Sequence, residues 1–413
     1  MFKKTNHDHW GYYQVGCNKV YSKLEAIELS GKLRQPLNWR FNPEVFDHYD
    51  WTSEPPGTLE QWYKARALQL RETYNYLVLF YSAGADSHNM LMSFVKNNIF
   101  VDEIVQLHSM EIYNNDRTVE ANVEQFSTSI PNTKRLIENN PVYKNTVHRL
   151  IDLSRWSRTV MTQPQNKWDY LYDYCGNINS VWGASVGSVR EIEPAYKALA
   201  DQGKDVCFVW GIDKPELTWS PEGYRLGFCD GGLLIFRLPR NQRNPQSWHH
   251  DEAFYWTPDM PQLVAKQAHI CKRFVKGITP EMPDGFFIRP GVFKHAEDLS
   301  TIFSAPRISA KVNGNDYYLT DHGLHKLIYP YWDHRTIVRS KNRNAMFPDI
   351  DGFLWNSQAP DFGQHHYQRS MPWLRSTVIK NTPELWWEHK GVPGRSIYRG
   401  GIKPLRIFYN IGT

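Results

Sequence analysis

Short apolar runs alternate with longer mixed segments through the middle of this chain. The runs lie at residues 77–81, 103–108, 147–153, 206–210 and 233–238, and the stretches 88–96, 118–139 and 191–200 between them have helical length and spacing. A run apolar at most positions suits a strand buried on both faces. Strands separated by helices pair in parallel, because a parallel connection needs a long crossover. The fold class that follows is α/β, a doubly wound and mostly parallel sheet within residues 58–240. Thr58 is placed to cap a helix in which Leu59, Trp62, Tyr63, Ala67, Leu70 and Tyr74 keep helical spacing.

The flanks read differently. Residues 1–57 carry Trp, Tyr and Pro without sustained periodicity and end in Ser53-Glu54-Pro55-Pro56-Gly57, a breaker cluster. They are expected to form an irregular N-terminal extension. Residues 241–413 are rich in Pro, Trp, His and Arg, with one good helix in which Leu263, Gln267, Ile270, Cys271 and Phe274 fall in step. That helix is Pro-initiated, with Asp259 as a candidate cap. This region is expected to be partly irregular and to supply a substrate or partner site. No internal repeat or low-complexity tract is visible.

Composition removes several classes. The 413 residues can bury a sizeable core, and no run approaches the roughly 18–20 apolar residues that cross a bilayer. A membrane partner is therefore not expected. Residues 1–13 lack an apolar h-region, so the expected location is cytoplasmic, or the host cytoplasm if the chain is viral. The five cysteines, Cys17, Cys175, Cys207, Cys229 and Cys271, are scattered and form no CxxC pair, which suits a reducing compartment. A net charge of +5 permits a nucleic-acid partner without requiring one. Aromatic residues reach 14%, and packing of cores and interfaces accounts for them better than base stacking does.

Between the first run and its helix stands Ser82-Ala83-Gly84-Ala85-Asp86-Ser87. A turn at that junction lies at the carboxyl edge of the sheet, where open α/β folds bind ligands. Small residues let backbone approach an anion, and the N–H groups and dipole at a helix start favour phosphate. Neither GxxxxGK[ST] nor GxGxxG is present. A plain cap by Ser82 and Asp86, with Gly84 easing the turn, would also explain these residues.

The hexapeptide resembles the S-G-G-x-D-S pyrophosphate loop of the N-type ATP pyrophosphatases at five of six positions. That family includes the synthetase domain of asparagine synthetase, GMP synthetase, NAD synthetase and tRNA-modifying ligases. The resemblance implies a HUP-like fold, with Ser82, Ala83, Gly84, Ala85, Asp86 and Ser87 binding ATP and Asp86 organising Mg²⁺. Ala83 replaces the family's first glycine, a change that matters only if positive φ is required there. Gly211-Ile212-Asp213-Lys214 resembles the G-x-D-E loop of asparagine synthetases. It implies that Gly211 meets pyrophosphate and that Asp213 and Lys214 take part in catalysis. Lys214 stands where the family has Glu. It either neutralises departing pyrophosphate or, with Glu216, is a solvated loop charge. Residues 105–110 follow the second run where the family's backbone meets adenine, which assigns Leu107 and His108 to the base; His108 is equally explicable as a strand-end residue.

The resemblance also implies limits. Trp210 and Ile212 flank Gly211, leaving no acidic residue for ammonia handling, so asparagine synthesis is not expected. Phe2 stands where an N-terminal glutaminase of that kind would have cysteine, and no such glutaminase is expected. Without paired or clustered cysteines, sulfur transfer is not expected either. The implied activity is that of an AMP-forming ligase that adenylates an oxygen of a small-molecule acceptor for attack by a nitrogen nucleophile, using ATP and Mg²⁺. Residues 252–269 resemble segments of bacteriophage proteins of the asparagine-synthetase-like branch.

Two alternatives stay open. One is a nucleotide-binding module without catalysis. The other is an enzyme modifying tRNA or DNA through Arg335, Arg339, Lys341, Arg343, Arg369 and Arg375, interleaved with Tyr329, Tyr331, Trp332 and Trp373, a pattern also explained by a solvated basic surface. Gly183, Gly187, Ser188 and Arg190 could form another anion-facing loop or a plain connection, and Asp230-Gly231-Gly232 reads as a tight turn or a substrate-edge loop. The pairs His7/His9, His249/His250 (beside Asp251 and Glu252), His322/His325 and His365/His366 have the right chemistry for metal but no diagnostic spacing.

Overall fold

The computed structural model describes residues 10–154 except 109, 112–114, 118–121 and 123–124; residues 194–278 except 221 and 231–247; and residues 286–289, 292–295, 309–312, 315–318, 328–331, 373–388 and 400–413. The anion-loop candidates at 183–190, the expected strand at 233–238, Gly231 and Gly232, the basic cluster at 339–344, Arg335, Trp332, Arg369, and the His7/His9, His322/His325 and His365/His366 pairs lie outside the described residues.

The N-terminal segment corrects an expectation. It holds three antiparallel strands, β1 (Tyr12–Val15), β2 (Asn18–Val20) and β3 (Leu37–Arg40), and helix α1 (Lys23–Leu33), capped by the Ser22 hydroxyl accepting from the Glu25 N–H. Its periodicity was hard to read because the strands are short and because aromatic side chains rather than an alternating aliphatic face bury it. Phe46 lies 4.9 Å from the Phe228 ring, and Trp51 stacks on Tyr409 at 5.2 Å. Aromatics fill the core here, as composition led us to expect.

Helix α2 (Leu59–Thr73) starts where expected, with Thr58 and Gln61 forming a reciprocal capping box. There follow β4 (Tyr76–Phe80), α3 (Ala85–Val95), β5 (Glu103–His108), α4 (Ile130–Asn139), β6 (Val147–Asp152), α5 (Pro194–Asp201) and β7 (Val206–Trp210). The strands lie within a residue of the runs read from sequence, whereas within the expected helical segment 118–139 the described residues form a π-helical turn at Gln125–Ser129 before α4.

A fifth strand was missed. β10 (His249–Ala253), which follows β8 (Glu216–Ser220) and β9 (Gly223–Cys229), pairs in parallel with β7 and completes a five-stranded all-parallel sheet of order β10-β7-β4-β5-β6. This is an α/β arrangement compatible with a doubly wound fold. Four consecutive polar residues disguise the strand, yet every one is buried. Arg66 of α2 reaches Glu252 at 2.8 Å, and the Tyr74 hydroxyl donates to the same carboxylate at 2.6 Å. His250 meets Asp205 at 2.8 Å, and the Trp210 indole donates to Asp251 at 3.0 Å. His250, Asp251 and Glu252 thus find partners outside the strand, and His249 lies 3.4 Å from Asp251 within it, as burial demands.

Helix α6 (Pro261–Ile278) forms as expected but begins at Pro261, so Met260 rather than Asp259 precedes it. A second, antiparallel sheet joins β8 and β9 to β11 (Phe286–Arg289), β12 (Val292–His295) and the last strand, Arg406–Asn410. Asp230 is a buried ionic anchor rather than a plain turn residue. Lys23 pairs with it at 2.7 Å and the Tyr13 hydroxyl donates to it at 2.7 Å, while its backbone N–H donates to Leu405 O. No helix among the described residues is long and apolar enough to cross a membrane.

The Arg66–Glu252 pair should behave as a buried pair does when one member is lost. Arg66→Ala strands the Glu252 charge and is expected to cost about 3–5 kcal/mol in denaturant unfolding. Pairing Arg66→Met with Glu252→Leu should recover most of that loss.

Candidate functional site

The chain runs outward from β4 to β5 and β6, then returns to place β7 on the other side of β4. The carboxyl ends of β4 and β7 therefore sit side by side where the strand order reverses, the place where open α/β sheets form a crevice. Phe80 and Trp210, the last residues of these two strands, stack with ring centroids 3.7 Å apart and planes 5° apart. That stacking fixes the roots of both loops.

The loop after β4 is the Ser82–Ser87 turn. Ala83 has φ of 60° and is wholly buried. The position where the family pattern has glycine does adopt the left-handed region, and here an alanine bears it, at a cost of roughly 1–2 kcal/mol. Ser87 Oγ accepts from the Ser82 N–H at 3.1 Å, and Ser82 Oγ accepts from the Gly84 N–H at 3.3 Å, tying the turn to itself. Gly84 occupies the cap position of α3 without a side-chain cap. The N–H groups of Ala85 and Ser87 have no acceptor among the described residues, and a helix start with open donors suits an anion.

The loop after β7 closes onto that turn. A Cβ on Gly211 would stand 3.0 Å from the backbone N and Cα of Ser87, so a larger residue there would have to push the Ser87 backbone away. Lys214 Nζ then reaches Asp86 Oδ2 at 2.7 Å, and Asp213 Oδ1 accepts the Lys214 backbone N–H at 2.7 Å. Lys214 is therefore not a solvated charge, and neither is Glu216. The latter is buried at the start of β8 and pairs with Arg406 at 2.8 Å. It anchors the second sheet beside the loop.

Two tyrosines that sequence reasoning did not place here complete the surroundings. The Tyr329 hydroxyl donates to Asp86 Oδ1 at 2.5 Å, and the Tyr255 hydroxyl donates to the Asp86 carbonyl at 2.7 Å. Burial, then the nearby Asp86 charge, pushes the Tyr329 hydroxyl well above its ordinary value, and burial does the same to Tyr255. Both stay protonated donors over ordinary pH. Tyr63 donates to the Ile328 carbonyl and so holds the segment carrying Tyr329. Tyr329 had been grouped with a basic aromatic surface; it is buried, and no local pattern links residue 329 to residue 86.

Leu107 and His108 lie at the end of β5, at the same carboxyl edge as the turn. Leu107 is half-buried against the core. Burial lowers the His108 pKa despite the opposing Asp152 charge, which leaves the ring neutral near pH 7. Its Nδ1 is buried without a hydrogen-bond partner among the described residues, 3.9 Å from Asp152 Oδ2. The structure thus brings Ser82, Ala83, Gly84, Ala85, Asp86, Ser87, Gly211, Asp213 and Lys214 into one cluster, with Leu107 and His108 on the adjoining strand.

The donor set does not fit a resident Mg²⁺. One Asp86 oxygen meets an ammonium and the other a hydroxyl donor, and no group of three or more His, Cys, Asp or Glu that could hold a metal occurs among the described residues. Comparisons with models of known families, with curated proteins and with solved structures return no match.

The left-handed alanine is directly testable. Ala83→Gly is expected to raise stability by up to about 1 kcal/mol, because relief of the left-handed cost exceeds glycine's entropy in the unfolded chain. Ala83→Val should lower it. A glycine variant less stable than wild type in denaturant titration would mean that the buried methyl outweighs the strain.

Proposed function

We propose that the chain binds ATP across the β4–β7 switch point and cleaves it to AMP and pyrophosphate, as an adenylating ligase of the ATP pyrophosphatase type. The observation that carries this reading is the meeting of the two loops: Lys214 on Asp86 at 2.7 Å, beside the open N–H groups that begin α3. The resemblance in the turn and the left-handed backbone at Ala83 support it. Leu107 and His108, at the carboxyl end of the next strand, would border a base bound there.

In this reaction an oxygen of the acceptor attacks the α-phosphorus, the bond to the bridging oxygen breaks, and pyrophosphate leaves with the electron pair. A nitrogen nucleophile then displaces AMP from the activated acceptor. Negative charge accumulates on the leaving pyrophosphate, and a cation held in place beforehand stabilises it most in the transition state. Lys214 is that cation. Ala85 and Ser87 N–H groups bind phosphate oxygens, and Gly211 lets the second loop stand close enough for both sets of donors to act together. A small-molecule acceptor is favoured over nucleic acid, because Tyr329 faces Asp86 and is not available to stack on a base.

The test is ATP binding together with release of pyrophosphate and AMP in the presence of candidate carboxylate, amide and heterocyclic acceptors. Lys214→Ala should reduce turnover more than ATP affinity. Gly211→Ala, by pushing the Ser87 backbone away, should weaken ATP binding by about tenfold or more. Binding without release across the acceptors would instead identify a nucleotide-binding module, and unaltered affinity in Gly211→Ala would count against the site.

A further inference from the structure

We infer that this site carries its own cation: the Lys214 ammonium serves at Asp86 in place of a divalent metal, so the chain holds a polyphosphate group without one. The inference rests on the phosphate-binding reading above and concerns what neutralises the ligand. A carboxylate in the first turn of α3 would by itself repel an approaching phosphate. Here Asp86 cannot act as a bare charge. Its Oδ2 is paired with Lys214 at 2.7 Å and its Oδ1 accepts the Tyr329 hydroxyl at 2.5 Å.

The same contacts disfavour a metal at this carboxylate. A divalent ion bonded to Oδ2 at the usual distance of about 2 Å would sit beside the ammonium already there, cation against cation. The neighbouring carboxylate does not offer a second ligand freely, since Asp213 Oδ1 accepts the Lys214 backbone N–H. The lysine, by contrast, is suited to the task. An ammonium has three donors and Asp86 takes one of them, while the Lys214 side chain is 14% exposed, enclosed yet reachable. Its position is set by the close passage of Gly211 over Ser87. The Asp86–Lys214 pair is neutral, so an arriving phosphate meets the open N–H groups of Ala85 and Ser87 and the remaining ammonium donors without a bare Asp86 charge in the way.

Charge reversal at position 214 separates the possibilities. In Lys214→Glu, a second carboxylate would stand against Asp86 with Asp213 beside them, and a divalent ion would become necessary to join these groups to phosphate. The experiment is calorimetric titration of the full-length chain with inorganic pyrophosphate and with ATP, each in EDTA and in excess Mg²⁺. Circular dichroism melts of every variant exclude misfolding. Wild type should bind both ligands in EDTA, with affinity within about threefold of that in Mg²⁺. Lys214→Gln, which keeps length but not charge, should lose about tenfold to a hundredfold in EDTA, the effect of one charge-assisted hydrogen bond. Lys214→Glu should bind only with Mg²⁺ present. Wild-type binding that requires Mg²⁺, or a folded Lys214→Glu or Lys214→Gln that binds in EDTA as wild type does, overturns the inference while leaving the nucleotide site intact. Absence of binding by wild type under both conditions overturns the site reading together with the inference.

Discussion

The parallel pairing of β4 with β7 is the constraint on which the rest of the molecule depends. Those strands are distant in sequence, and they become neighbours only because the chain lays β5 and β6 on one side before returning to the other. Two loops with no sequence proximity are thereby rooted side by side, with Phe80 against Trp210 at their bases. The contacts between the two loops follow from that adjacency: the passage of Gly211 over Ser87 and the reach of Lys214 to Asp86, with Tyr255 descending from the loop after β10, which pairs on β7. Were β7 to pair elsewhere, the turn after β4 would be an ordinary helix start.

Layers outside the sheet hold this arrangement rigid. Glu216 begins β8 directly beyond the Lys214 loop and is tied to Arg406 near the end of the chain. Asp230 closes β9 and is tied to Lys23 near the beginning. The second sheet therefore clamps the distal side of the lysine loop using both ends of the chain. Tyr329, brought in from a third distant segment and steadied by Tyr63, sets the rotamer of Asp86. The side chains that define the site are held by buried hydrogen bonds, the condition under which a binding geometry is organised before its ligand arrives.

How much was legible in the sequence depended on whether the signal was local. Residues 103–108 and 206–210 are strands at those bounds, and Thr58 is the cap it resembles, because periodicity and capping are properties of a few adjacent residues. The turn at Ser82–Ser87 falls at the strand-to-helix junction for the same reason. β10 was invisible, since His249, His250, Asp251 and Glu252 read as metal-ligating types without diagnostic spacing until Arg66, Tyr74, Asp205 and Trp210 are known to surround them. The N-terminal sheet was obscured by short strands buried through rings. The roles of Lys214 and Tyr329 toward Asp86 are tertiary facts, carried by no spacing rule.

The polar strand has a further consequence. β10 forms one edge of the parallel sheet, and an edge is where a sheet can recruit a stray strand or mispair with itself. An aliphatic strand there would tolerate a shift by a residue or two at small cost. A strand reading His-His-Asp-Glu cannot slide, because a single-residue slip turns each side chain to the opposite face and parts Glu252 from Arg66 and Asp251 from Trp210 at once. The buried charges act as a key that only one alignment turns, and a foreign strand presented to β7 would lack the matching teeth.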